Sequence, residues 1–330
     1  MKSWMKQVLA ALMWSPACVV VRVLPVPLVW AMARVGGMLL WHISPCRRAT
    51  MMAELQRLFS DRSREDIRRL AQEAYVNFCE AEMEILLFPR MNAEYVRQRI
   101  VLEGREILDE ALARGRGVLL FQAHFGAFQM TMPALGYSGY RMSQISVTAE
   151  AWKNDTMGLA QHAAFDRKAA YERALPVRRI DIRGTMRPVY RALQAGEIVG
   201  IAVDGAAGNR PVTVSFLGHQ ARFQTGAAQL ALRTGAIIVP AVIFTDPYFR
   251  HRLVLHPPIE GRTQEELVSA FVSHLEAWVK DRPSHYAFTL MLRRLLAHAE
   301  ASPFFTDYDG AVESDLTPPP IEKGSMHATS

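Results

Sequence analysis

Val118-Leu119-Leu120-Phe121 is a short, unbroken apolar run, preceded by Gly117 and followed by Gln122-Ala123-His124. A run of that length without polar alternation reads as a strand buried on both faces, the kind that parallel sheets contain. Such a strand obliges the rest of the chain to cover two sheet faces with helices. The expected pattern does alternate. Strands are expected at 141–147, 177–182, 198–203, 236–244 and 250–256, and helices at 65–87, 106–114, 152–173, 186–195, 224–233 and 264–280. The fold class is therefore α/β: a single domain with a central, mostly parallel sheet flanked by helices. With half of its 330 residues hydrophobic, the chain can fill one large core.

His124 stands where that first strand ends, and Phe125 to Met130 reads as the opening of a helix. Open α/β sheets bind ligands beyond the carboxyl ends of their strands. An imidazole that titrates near neutrality can there take a proton from a hydroxyl. The position equally suits a His that caps the next helix or satisfies a buried carbonyl, and the residues alone leave both readings open. Other chemistries are poorly supported. The chain has no Gly-x-Ser-x-Gly, no phosphate loop, no Gly-x-Gly-x-x-Gly after a strand and no His-Glu-x-x-His. Those absences argue against an α/β-hydrolase, an NTPase and a dinucleotide-binding enzyme. Cys18, Cys46 and Cys79 are scattered and odd in number, which fits a reducing compartment and no structural zinc.

Charge is unevenly placed. Through Leu70 the chain carries 11 Lys and Arg against 4 Asp and Glu, a local +7 in a protein of net +6. That excess borders the most hydrophobic stretch, residues 7–43, whose longest uncharged run, Gln7 to Val21, has 15 residues. A bilayer span needs about 20. Pro16, Pro25 and Pro27 also break the stretch. Residues 1–45 are therefore expected to form one or two helices lying in a membrane interface, with Trp14, Trp30 and Trp41 at headgroup depth. A buried helical hairpin and a cleaved signal peptide are the competing readings. Residues 46–298 would form the α/β domain. Residues 299–330, with Pro318-Pro319-Pro320, would be a disordered tail.

Several blocks resemble one family. His124-Phe125-Gly126-Ala127-Phe128-Gln129 is similar to the His-Phe-Gly-Asn-Trp-Glu window of the lysophospholipid acyltransferase superfamily, in its bacterial lipid A late acyltransferase branch. Ile198 to Asp204 resembles that family's strand ending in Asp, and Val214-Ser215-Phe216-Leu217-Gly218 its Val-x-Phe-Phe-Gly block. Thr225-Gly226 and Thr234 to Pro240 resemble its next helix and strand. The blocks keep the family's order across residues 100–290.

The resemblance implies a glycerolipid acyltransferase-like fold and an enzyme of lipid A-like lipid biosynthesis. It would move a fatty acyl chain from an acyl-carrier protein or coenzyme A thioester to a hydroxyl of a lipid or glycolipid. His124 would be the general base. Phe125, Gly126, Phe216, Gly218 and Arg222 would bind substrate, with oxyanion donors near Phe216-Leu217-Gly218. It further implies a peripheral protein on the cytoplasmic face of the bacterial inner membrane, with no cofactor, no metal and no nucleic-acid partner. The basic cluster Arg178, Arg179, Arg183 and Arg187 is expected either to bind phosphate or to be ordinary solvated surface.

One residue departs from the pattern. Gln129 stands where the family carries an acid, and an amide brings no charge to the imidazole. In serine-protease triads the same change costs about four orders of magnitude in turnover. Asp204 or Glu150 could supply the carboxylate instead. If His124 is still the base, Gln129→Glu is expected to speed transfer roughly ten- to a hundredfold. The alternative is a lipid-binding or scaffolding homologue that has lost catalysis. A thioester hydrolase using the same base is a third reading.

Overall fold

The computed structural model describes residues 16–147, 158–205, 210–300 and 303–307. Prolines set the first helix starts, because a helix's first turn has no use for the missing amide hydrogen. Thus, after α1 (Pro16–Val23), Pro25 and Pro27 open α2 (Val26–Ile43), and Pro45 opens α3 (Pro45–Leu58). Ser63 caps α4 (Arg64–Ile85), its hydroxyl accepting from the Asp66 amide at 3.1 Å, as the sequence anticipates. The chain continues through α5 (Ala93–Arg99), β1 (Ile100–Glu103), α6 (Arg105–Ala113), β2 (Val118–Gln122), α7 (Thr131–Tyr137) and β3 (Met142–Ser146). Next come α8 (Leu159–Arg173), β4 (Arg178–Asp181), α9 (Arg187–Gln194) and β5 (Ile198–Ala202). The hairpin β6 (Pro211–Phe216) and β7 (His219–Gln224) precedes α10 (Gly226–Thr234), β8 (Ile237–Asp246), β9 (Arg250–Leu255), α11 (Gln264–Asp281) and α12 (Ala287–Glu300).

Seven strands form one sheet in the order β1-β9-β8-β2-β5-β3-β4. Every neighbouring pair is parallel except the β8–β9 hairpin. The α/β architecture expected from the apolar runs is the one found, and β2 is buried along its whole length near the middle of the sheet. From β2 the chain crosses to β3 on one side; from β5 it returns to β8 on the other. Adjacent strands whose connections leave in opposite directions open a crevice between their carboxyl ends. Here that pair is β2 and β5.

Some expectations fail. No helix opens at His124: the segment stays irregular until a 3₁₀ turn at Phe128–Met130, and α7 starts only at Thr131. The disordered-tail expectation fails at residues 303–307. Phe304 and Phe305 are buried there, and the segment bonds to β7 through Arg222 N–H to the Phe304 carbonyl and Thr306 N–H to the Gln220 carbonyl, both 2.8 Å. Trp14, Glu150, Trp152 and Pro318-Pro319-Pro320 lie outside the described residues.

The two N-terminal helices are two-faced. On α2, Val26, Val29, Ala33, Gly37 and Trp41 form the buried stripe that packs on α4. Trp41 is only 2% exposed and meets Tyr75 edge-on at 5.6 Å, so it belongs to the core and not to a headgroup layer. Trp30 is half-buried against Tyr248. The opposite face leaves Val19, Val23, Leu28, Val35, Leu39 and Ile43 exposed. A methyl at Gly37 would lie 2.5 Å from the Val76 Cα and 2.9 Å from the Tyr75 carbonyl oxygen. Gly37→Val is therefore expected to destabilise the fold by ~1–3 kcal/mol through overpacking, read as a lower denaturant midpoint.

Candidate active site

Strand register builds the site. β2 and β5 run in parallel with Gln122 opposite Ala202 as their last matched pair. His124 and Asp204 each lie two residues further on, so they leave adjacent strands at the same level. Strands in a sheet are about 4.8 Å apart, a gap that two facing side chains close. The imidazole Nδ1 lies 2.8 Å from Asp204 Oδ1. Asp204 Oδ2 accepts two further bonds, from the His124 backbone N–H at 2.9 Å and from the Tyr286 hydroxyl at 3.0 Å.

The carboxylate is wholly buried, whereas 41% of the imidazole side chain is exposed. Burial alone would push the imidazole down and the carboxyl up. Each instead reverses the other's shift: beside Asp204, His124 is held above its ordinary 6.5, and beside His124, Asp204 is held below its ordinary 3.8. An ionised Asp204 can only accept, so Nδ1 carries the hydrogen. Nε2 keeps its lone pair, as a base requires. The raised His124 contributes stability fully present below its unfolded value and lost as pH climbs through its folded one. The depressed Asp204 contributes stability present above its unfolded value and lost as pH falls through its folded one. Their joint contribution is therefore greatest between those ordinary values, 3.8 and 6.5.

The loop that carries His124 is fixed from several sides. Thr289 Oγ1 donates to the His124 carbonyl at 2.7 Å, and the Gly126 N–H donates to the His285 carbonyl at 2.9 Å. Gly126 has a φ of 54°, and a Cβ there would lie 2.8 Å from His285 Cδ2. Only glycine fits that turn and that approach. Phe125 stacks on His285 at 5.3 Å, and Phe128 meets the His124 ring edge-on at 4.7 Å. Burial holds His285 down at about 4, so it stays neutral beside the loop.

Other residues singled out from the sequence fall into different roles. Gln129 makes no hydrogen bond to the imidazole, because Asp204 already occupies Nδ1; its own amide oxygen is buried without a partner. Phe125 and Phe216 are 2% and 0% exposed and pack in the core behind the pair. Gly218 is an exposed glycine with φ 79° at the tip of the β6–β7 hairpin. Arg222 is half-buried on β7, opposite Thr213. The Leu217 N–H, in the block expected to supply oxyanion donors, is bonded to Glu276 Oε2 at 3.1 Å. In the basic cluster, Arg179 pairs with Glu172 and Arg183 with Asp181, each at 3.4 Å. The sequence reading missed Tyr286 and Thr289. No local motif marks them; only the helical periodicity after Pro283 could have.

The site thus holds a strand-end His paired with a buried carboxylate from the neighbouring strand, not with a residue at the position where the resembling family carries its acid. The chain also matches, over residues 3–297, the family model described as bacterial lipid A biosynthesis acyltransferase. It belongs to that family. It is also similar to the phosphatidylinositol mannoside acyltransferase of Mycobacterium tuberculosis strain CDC 1551 / Oshkosh. The two are 26% identical over 163 residues, 48% of this chain and 48% of that protein. The protein of the same name from strain ATCC 25618 / H37Rv matches to the same extent. The match thus spans about half the length of these relatives.

Proposed function

We propose that this protein is a membrane-associated acyltransferase that moves a fatty acyl chain from a thioester to a hydroxyl of a lipid or glycolipid. The observation that carries the reading is the His124–Asp204 pair at the carboxyl ends of β2 and β5. Asp204 holds Nδ1–H, and Nε2 takes the proton of the acceptor hydroxyl as its oxygen attacks the thioester carbonyl. The tetrahedral oxyanion then collapses, the C–S bond breaks, and the imidazolium returns its proton to the departing sulfur. The products are an ester and a free thiol on acyl-carrier protein or coenzyme A. Base and thioester complete the cycle, so the steps call for no metal or redox group. The relatives' name favours a glycosylated phospholipid as acceptor.

The scaffolding alternative rested on the missing acid at Gln129, and Asp204 removes that motive. The expected gain from Gln129→Glu goes with it. A carboxyl oxygen in place of that buried, unpartnered amide oxygen would push the new acid toward its neutral form. Gln129→Glu is now expected to change turnover by less than about threefold, because it adds no charged partner to Nδ1. Acyl transfer from palmitoyl-coenzyme A to a bacterial lipid extract measures this, and a gain of tenfold or more would show that Asp204 is not the operative acid.

The exposed apolar face of α1 and α2, beside a basic N-terminal section, supports peripheral docking on an anionic leaflet, the cytoplasmic face of the inner membrane. α2 is also long and apolar enough to cross a bilayer by length and composition, but its buried stripe faces the protein. Replacing Leu28, Val35 and Leu39 by Ser is expected to weaken flotation with phosphatidylglycerol vesicles by at least about tenfold. Unchanged flotation would place the membrane contact elsewhere.

A further inference from the structure

Thr289 and Arg293 lie on α12, and Tyr286 immediately precedes it, its carbonyl accepting from the Leu290 N–H at 3.1 Å; the spacing i, i+3 and i+7 puts the three on one side. Each contacts a different part of the two loops that carry His124 and Asp204. The Tyr286 hydroxyl donates to Asp204 Oδ2 at 3.0 Å, the Thr289 hydroxyl to the His124 carbonyl at 2.7 Å, and Arg293 Nη2 to the Gly205 carbonyl at 3.2 Å. Tyr286 is fully buried, its ring packed edge-on against Phe216 at 6.1 Å. The Arg293 guanidinium lies over the Phe304 ring at 4.6 Å, with Phe304 held in turn on β7, and its Nε is buried without a partner.

From this geometry we infer that the start of α12, with the turn residue before it, is the positioning element of the active centre, with Tyr286 and Arg293 as positioning residues for the Asp204–His124 pair. The inference rests on the proposed acyl-transfer reading and assigns residues that neither the sequence blocks nor that reading uses. Two donors converge on Asp204 Oδ2, the His124 N–H and the Tyr286 hydroxyl, and together they fix the carboxylate so that Oδ1 faces Nδ1. Arg293 anchors the residue after Asp204 and so brings a positive charge next to the loop that carries the carboxylate. Among the described residues, the charged groups facing His124 are Asp204 from the β5 loop and Arg293 from α12. They act in opposite directions, with Asp204 raising the imidazole's proton affinity and Arg293 lowering it.

Two measurements on the full-length protein in detergent test this. The first follows His124 by NMR of ¹³C-histidine-labelled protein, with His124→Gln used to assign its signal. Arg293→Met is expected to raise the pH at which His124 titrates, and Arg293→Lys to restore it. A role confined to packing would leave the titration in place, and that result would overturn the assignment of Arg293. The second measures transfer from palmitoyl-coenzyme A to a bacterial lipid extract. Tyr286→Phe keeps the ring and removes only the donor, so it is expected to lower kcat about tenfold at unchanged KM. In an Asp204→Asn background the same change is expected to cost less than about twofold, because the bond it removes no longer orients a carboxylate. Equal losses in both backgrounds would show that Tyr286 acts through packing and overturn its role. Absence of transfer by the wild type would count against the acyl-transfer reading alone, and the titration would still decide this inference.

Discussion

His124→Ala is expected to lower acyl transfer by about 10²–10⁴-fold, the range that removal of a positioned general base produces. The imidazole is partly exposed and holds no core position, so folding should survive the change. The loss should fall on kcat with KM for the thioester little altered, because Nε2 acts on a proton that moves only in the transition state. In the wild type, kcat/KM is expected to climb with pH through an apparent pKa above the ordinary 6.5 of a histidine, since Asp204 holds the imidazole proton and the base works only when neutral. A variant that keeps wild-type turnover would remove His124 from the chemistry.

Asp204→Asn is expected to be nearly as damaging, for a reason the hydrogen bonds specify. Two donors, the His124 N–H and the Tyr286 hydroxyl, converge on Oδ2, so an amide must place its oxygen there. Its NH₂ group then faces Nδ1. That arrangement favours the tautomer with the hydrogen on Nε2, where the lone pair is needed. The loss is expected to approach the roughly 10⁴-fold seen for carboxylate-to-amide changes in serine-protease triads. With the raising influence gone, burial acts unopposed on His124, and the ascending limb of any residual activity should move to lower pH. The variant should also lose more stability at pH 5 than at pH 9. The His124 share of the pair's stabilisation is present below its unfolded value and disappears as pH rises through its folded one.

The centre of the sheet was legible because β2, β5 and most of β8 are apolar runs. The strand expected at 198–203 is found as Ile198–Ala202, and the one expected at 250–256 as Arg250–Leu255. β1 went unread because it is a four-residue edge strand, and the β6–β7 hairpin because its residues alternate and turn at Leu217-Gly218. His124 could be found from its place after β2. Its true partner could only be suspected, since 80 residues separate His124 from Asp204 and the β2–β5 register that joins them is a property of the sheet. Gln129 drew attention only because the resembling family carries an acid there; in the structure it lies in a 3₁₀ turn and does not bond the imidazole. The aromatic residues named for substrate contact are a further case. Phe125 and Phe216 look alike in sequence whether they line a site or support it from behind, and only burial separates the two.

The most direct test of the central claim is mass spectrometry of total lipids from bacteria in which the native gene is deleted and replaced by wild type, His124→Ala or Asp204→Asn. The account predicts that deletion removes a lipid bearing one additional fatty acyl chain, that wild type restores it, and that neither variant does. Restoration by His124→Ala, or lipids identical with and without the gene, would contradict it.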